Sequence, residues 1–159
     1  MNVTILAFGK LKEDYWREAA AEYLKRLTPF AKVTVTELAP VKLPDDPSQA
    51  EIAAALEKES DLVLKKLPSD SYTIALCIEG RQQSSEAFAE TLRRVTAGGK
   101  SRIVILIGSS YGLSERVKAA CDERLSFSKM TFPHQLARVM LLEQLYRACQ
   151  INAGGKYHK

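Results

Sequence analysis

The chain has 159 residues, 46% of them hydrophobic, with a formal net charge of +4. That size and apolar content support one buried core and exclude a disordered or collagen-like chain, while no window approaches the roughly 18 uninterrupted apolar residues of a membrane span. Three widely spaced cysteines with no CxxC pair, and only two histidines, exclude a disulfide framework and a zinc site, so no metal is expected.

In chain order, "NVTILAF" (2–8) has the length and β-branched content of a strand. A helix over 13–27 follows, with Tyr15, Ala19, Tyr23 and Leu27 at i, i+4 spacing expected to face the sheet. "AKVTVTEL" (31–38) is a second strand, and "APVKLPDDPSQ" (39–49), with three prolines, is an irregular loop inside one domain. A helix over 48–66 capped by Ser48, a strand over 72–79 and a helix over 84–97 capped by Ser84 come next. "RIVILIG" (102–108) is the strongest strand, followed by a helix over 113–121 capped by Ser114 and a short strand near 124–128. The last helix has Thr131 as candidate cap and Pro133 near its first turn. This alternation predicts a single α/β domain over residues 1–159, a parallel sheet with helices on both faces. The N-terminus "MNVTILAFGKLKEDYW" has neither the basic start nor the cleavage site of a signal peptide, so a cytoplasmic location is expected.

Two glycine-bearing turns end neighbouring strands. "RIVILIGSSYGLSERV" places Gly108 and Gly112 around two serines where open α/β sheets bind ligands. It is neither GxGxxG nor a phosphate loop, and an ordinary strand-to-helix turn accounts for it equally well. "CIEGRQQSS" repeats the geometry one strand earlier, with Glu79 a general base, a ribose contact or, preferably, a satisfied turn acceptor.

"LSFSKMTFPHQLARVMLLEQLYRA" (125–148) joins a polar loop to a helix that is apolar nearly all round, which implies burial on most sides and a subunit interface. His134 and Arg138 share one face of it, as do Glu143 and Arg147. The tail "NAGGKYHK" puts an aromatic, an imidazole and a cation at Tyr157, His158 and Lys159, either as a fraying end or as an arm able to close over a nucleotide. Basic charge is concentrated in the same region: residues 101–159 carry 9 Lys/Arg against 4 Asp/Glu, where residues 1–100 carry 14 against 15. That surplus is compatible with a phosphate-bearing partner.

With "ILAFGKLKEDYW", "EYLKRL", "IALCIEG", "ILIGSSYGL", "LSFSKMTFPHQLARVMLLEQLYRA" and "YHK", the chain resembles along its whole length the ribosomal RNA large subunit methyltransferase H family, pseudouridine N3 methyltransferases of the SPOUT class. The resemblance implies a sheet whose C-terminal part is tied into a trefoil knot, a homodimer, and S-adenosyl-L-methionine as cofactor. It implies Leu76, Gly108, Phe127, Ser128, Lys129, Met130, Thr131 and Phe132 as the cofactor-binding set. Many relatives carry two consecutive glycines where this chain has Gly108 and then Ser109, so Ser109 is left outside that set.

The expected reaction is transfer of the sulfonium methyl to N3 of a pseudouridine in large-subunit (23S) rRNA, presented free or in the ribosome. His158, Tyr157 and Arg147 are the candidate catalytic residues, and His134, Arg138 and Lys159 the candidate substrate contacts. By the same resemblance, the tail of one subunit completes the site of the other. Three alternatives stay open: a relative acting on tRNA, a non-enzymatic RNA-binding module, and a nucleotide-dependent oxidoreductase. The last lacks a glycine fingerprint.

Overall fold

A computed structural model describes residues 1–159. Five strands, β1 (Asn2–Phe8), β2 (Lys32–Leu38), β3 (Ser71–Gln82), β4 (Arg102–Ile107) and β5 (Glu123–Ser126), alternate with five helices. The helices are α1 (Asp14–Leu27), α2 (Gln49–Leu64), α3 (Ser85–Ala97), α4 (Glu115–Ala120) and α5 (His134–Asn152). The sheet is parallel throughout, in the order β2-β1-β4-β3-β5. No helix is long and apolar enough to cross a membrane.

The continuous apolar run of β4 is explained by its two buried faces. Ile103, Ile105 and Ile107 enter the larger core, shared with α1, α3 and α5, while Val104 and Leu106 enter the smaller one beside α2 and α4. Alternate side chains of a strand point to opposite faces, so a strand covered on both sides must be apolar at every position. Helices therefore cover both faces, as the alternation predicts.

Ser48, Ser84 and Ser114 all cap their helices, accepting the backbone N–H of Glu51, Ala87 and Val117 at 3.2, 3.1 and 3.1 Å. Thr131 does not: Pro133 takes the cap position of α5, with ψ of 136° and no side-chain acceptor. Proline keeps the residue before it out of the helical region, which delays the first turn. Tyr15 also departs from expectation, standing 61% exposed. The buried positions of α1 are Ala20 and Leu27, and each strict i+4 step drifts about 40° around a helix of 3.6 residues per turn, so a run counted back from Leu27 leaves the core by Tyr15.

β3 runs three residues past the expected end. Its pairing with β5 jumps from Leu76 opposite Leu125 to Arg81 opposite the same residue, so Cys77–Gly80 leave the ladder. A Cβ on Gly80 would lie 2.6 Å from the Leu125 carbonyl carbon, so only glycine lets the excursion rejoin β5 there.

Candidate active site

A cavity of about 740 Å³ opens where β3, β4 and β5 end. Its walls are the excursion of β3, the loop after β4 and the loop between β5 and α5. Its volume lies within the usual ~300–1,000 Å³ range of small-molecule sites. Ile78, Tyr111 and Met130, three of the five large hydrophobic side chains exposed on the surface, all line it, giving an apolar rim that nothing within the chain covers. Of the eight residues expected to hold the cofactor, all but Lys129 line this cavity.

The loop after β4 is fixed by two glycines. A Cβ on Gly108 would stand 2.5 Å from the Gly112 carbonyl oxygen and 2.8 Å from its Cα, and Gly112 has φ of +78°. Ser109 has no positive φ, so the position tolerates a side chain without backbone strain. Its carbonyl accepts the Gly112 N–H at 2.8 Å, closing the turn, and its hydroxyl donates to Glu59 Oε2 at 2.8 Å. The opposite loop is braced similarly: Ser126 Oγ donates to the Ser128 carbonyl at 2.9 Å, and Ser128 Oγ accepts the Met130 N–H at 3.0 Å. Glu79 is the satisfied acceptor expected of it. Lys118 donates to it and holds its carboxyl below the usual range, while also pairing with Glu115 at 2.8 Å.

His134 closes the cavity at the first turn of α5, with Nε2 3.4 Å from where a Cβ on Gly9 would stand. Burial, then the charges of Arg138 and Lys12, push its pKa below the ordinary imidazole value. Arg138, expected to contact substrate, is instead 2% exposed and turned inward. It donates to Glu37 Oε1 at 2.6 Å and to the Gly9 carbonyl at 2.8 Å. Helical spacing puts His134 and Arg138 on adjacent turns, but the ends of β1 and β2 lie against the second of them.

The tail folds back on the far half of α5. Tyr157 donates to Glu143 Oε1 at 3.2 Å and lies under the Arg147 guanidinium, 4.7 Å from ring centre to Cζ. Burial, with contacts from Tyr23 and Glu143, pushes the Tyr157 phenol up to about 12. Arg147 forks onto Glu143 at 2.6 and 3.0 Å. His158 Nε2 sits 2.7 Å from Glu86 Oε1, and its Nδ1 3.4 Å from Arg147 Nη1. Lys159 is exposed. None of these tail groups reaches the cavity of its own chain.

The family described as "Predicted SPOUT methyltransferase" matches residues 1–158. The chain belongs to the SPOUT methyltransferase family. It is 53% identical over 159 residues to a protein of Bacillus cytotoxicus named "Ribosomal RNA large subunit methyltransferase H", covering 100% of both chains. Proteins of Bacillus thuringiensis and Bacillus cereus with the same name are 52% identical over the same span.

In this SPOUT chain the cavity is built mainly from loops, and membership of a methyltransferase family implies a methyl donor as cofactor. Among the lining residues that sequence reasoning passed over are Tyr111, Lys118 and Cys77. Only Tyr111 had a signal, an aromatic inside a glycine turn. The position of Lys118 depends on how α4 packs back across the end of β3, which no local pattern encodes.

Proposed function

We propose that this protein transfers a methyl group from S-adenosyl-L-methionine to N3 of a pseudouridine in large-subunit rRNA, working as a cytoplasmic homodimer. The observation that carries the reading is the cavity at the ends of β3, β4 and β5, in a chain identical at 52% from end to end to proteins named for that RNA. The cavity fits the donor. It has the volume, an apolar rim for a nucleobase, and at Gly108 a backbone with no room for a side chain. Backbone groups of the Gly108–Gly112 and Phe127–Phe132 loops would hold it, with Leu76 against the adenine, and when bound it supplies an electrophilic methyl.

The reading includes a C-terminal trefoil knot. It is supported by family membership and by the path of the chain, which places β5 beyond β3 at the sheet edge and brings α5 back over α1 and α3.

The cavity reaches His134 and the tail gathers at Arg147, 13 residues later on one helix, about 20 Å at ~1.5 Å rise per residue. One chain therefore cannot bring its tail to its own cavity without unfolding the tail from α5. A two-fold axis across antiparallel α5 helices places the tail of each chain at the cavity of the other, because every contact in such an interface is made twice. Leu136, Val139, Met140 and Ile151, only half-buried in the single chain, supply apolar surface for that pairing.

At the composite site His158 takes the N3 proton or orients the group that does. Arg147 faces the anion left on the base, and Lys159 grips phosphate. Tyr157, whose O–H is given to Glu143 and whose phenol stays protonated to about 12, positions the base through its ring and does not remove the proton. Arg138 acts through His134 and Gly9 as a positioning residue.

Mass spectrometry of large-subunit rRNA from cells lacking the protein tests the reading. One pseudouridine should lose its N3 methyl and regain it on incubation with purified protein and S-adenosyl-L-methionine. A fully methylated rRNA in those cells would sink the substrate assignment.

A further inference from the structure

Behind the Gly108–Gly112 loop stands a carboxylate with no cation beside it. Glu59, on α2, is only 4% exposed. Its Oε1 accepts the Val41 backbone N–H at 3.0 Å and its Oε2 the Ser109 hydroxyl at 2.8 Å. Both donors are neutral. The cations nearby are committed elsewhere: Arg116 pairs with Glu57 and Asp61 at 3.1 and 2.7 Å, and Lys118 with Glu79 and Glu115. A second cavity of about 290 Å³, walled by Val41, Ile52 and Leu56, shares Ser109 and Tyr111 with the larger one and meets the same carboxylate.

Burying an anion against neutral donors alone costs free energy, and the cost falls when a cation approaches through low-dielectric surroundings. Ser109 lines the donor cavity and touches Glu59, so the charge lies one side chain behind the site. The donor carries a positive sulfonium. Once its methyl has left, the remaining thioether is neutral, while the amino-acid and adenosine parts are unchanged.

We propose that Glu59 is a specificity-determining residue that makes this site prefer the cationic methyl donor over its neutral demethylated product. The inference rests on S-adenosyl-L-methionine being the donor. Its functional consequence is product release: transfer of the methyl removes the charge that Glu59 attracts, so the spent cofactor is held less tightly than the fresh one. Glu59 reaches neither ligand directly and acts through the field behind Ser109. The same two hydrogen bonds also tie the 39–49 connection to the loop after β4, a purely mechanical role that loosens both ligands alike.

Calorimetry with S-adenosyl-L-methionine and S-adenosyl-L-homocysteine separates the two roles. Glu59→Gln keeps the shape, its carbonyl accepting from Val41 and its amide donating to Ser109, but removes the charge. Donor affinity should fall on the order of tenfold, the scale of one unit charge acting through an intermediate dielectric, with product affinity held within about twofold. Ser109→Ala, which keeps the charge, should weaken both ligands by the same factor. Equal weakening of donor and product in Glu59→Gln overturns the inference, as does an unchanged ratio. The wild-type protein must itself prefer the donor, so equal wild-type affinities overturn it without any variant. If the wild-type protein binds neither compound, the donor assignment fails and takes the inference with it, an outcome distinct from the others.

Discussion

The guanidinium of Arg138 lies 2.6 Å from the carboxylate of Glu37, and through its second nitrogen 2.8 Å from the carbonyl of Gly9, joining the ends of β2 and β1 to the second turn of α5. The arginine is 2% exposed and the glutamate 36%. Removing one partner of a fully buried pair costs ~3–5 kcal/mol, and the exposure of Glu37 brings the expected cost of Arg138→Ala to about 2–3 kcal/mol. Urea unfolding measures it. Arg138→Lys should recover only part, since a point charge cannot fork between two acceptors. A wild-type midpoint for the alanine variant would restore Arg138 to the substrate surface.

Gly108→Ala places a methyl 2.5 Å from the Gly112 carbonyl oxygen, so the loop between them has to move. We expect cofactor affinity to fall at least tenfold in calorimetry, with the far-ultraviolet circular dichroism spectrum unchanged because the loop lies outside the sheet. Tight binding by this variant would mean that the donor avoids the loop.

His134 has a folded pKa below its unfolded value of ~6.5, because burial and the charges of Arg138 and Lys12 disfavour the imidazolium. Below the unfolded value the unfolded chain binds the proton more readily, so stability is complete above about pH 6.5 and is lost as pH falls through the folded pKa. The carboxylates with depressed pKa values, such as Glu79 and Glu86, lose their contribution only at lower pH. His134→Asn should therefore flatten the thermal stability profile just below pH 6.5 and leave the acid limb intact. A resonance of His134 titrating at or above ~6.5 by NMR would contradict this sign.

The tail should matter for chemistry and not for donor binding. His158→Ala is expected to lower single-turnover methylation about 10²-fold, the scale of lost general acid–base assistance, at unchanged cofactor affinity. Tyr157→Phe should slow the reaction without altering its pH profile, because a phenol held to about 12 has no inflection near neutrality. Loss of an inflection in that variant would make Tyr157 the proton acceptor. Mixing chains truncated after Lys156 with Gly108→Ala chains should regain activity that neither has alone, through heterodimers with one intact composite site. No recovery would place tail and cavity in the same chain.

Much of the scaffold is local and was legible in the sequence. Three serines capped three helices because a hydroxyl one residue before a helix accepts the same N–H in any fold. "IVILI" announced a strand buried on both faces because side-chain alternation leaves no polar position there. Gly108 announced a close backbone approach to a ligand or an ordinary turn, and the structure shows the close approach to be to Gly112, possible because only glycine has no Cβ. Where the reading slipped, at Tyr15 and Thr131, the physics was still local: drift around a helix and the restriction imposed by Pro133.

The family resemblance picked out the loops that line the cavity at the ends of β3, β4 and β5. What packing alone decided is which charges are spent. Arg138 and Arg147 are both helix arginines in an apolar stretch, yet one is buried and held by Glu37 and Gly9 at the ends of β2 and β1, while the other pairs with Glu143 on its own helix and meets the tail nearer the protein surface. Glu59 had no signal among the charges of α2, and only the approach of the loop after β4 turned it into a buried anion. Electrostatic roles depend on distance and dielectric, and contacts between residues 50 and 101 positions apart set both, as for Ser109 with Glu59 and Arg138 with Glu37. Sequence determined the elements and the loops; tertiary structure decided which side chains are left free to act.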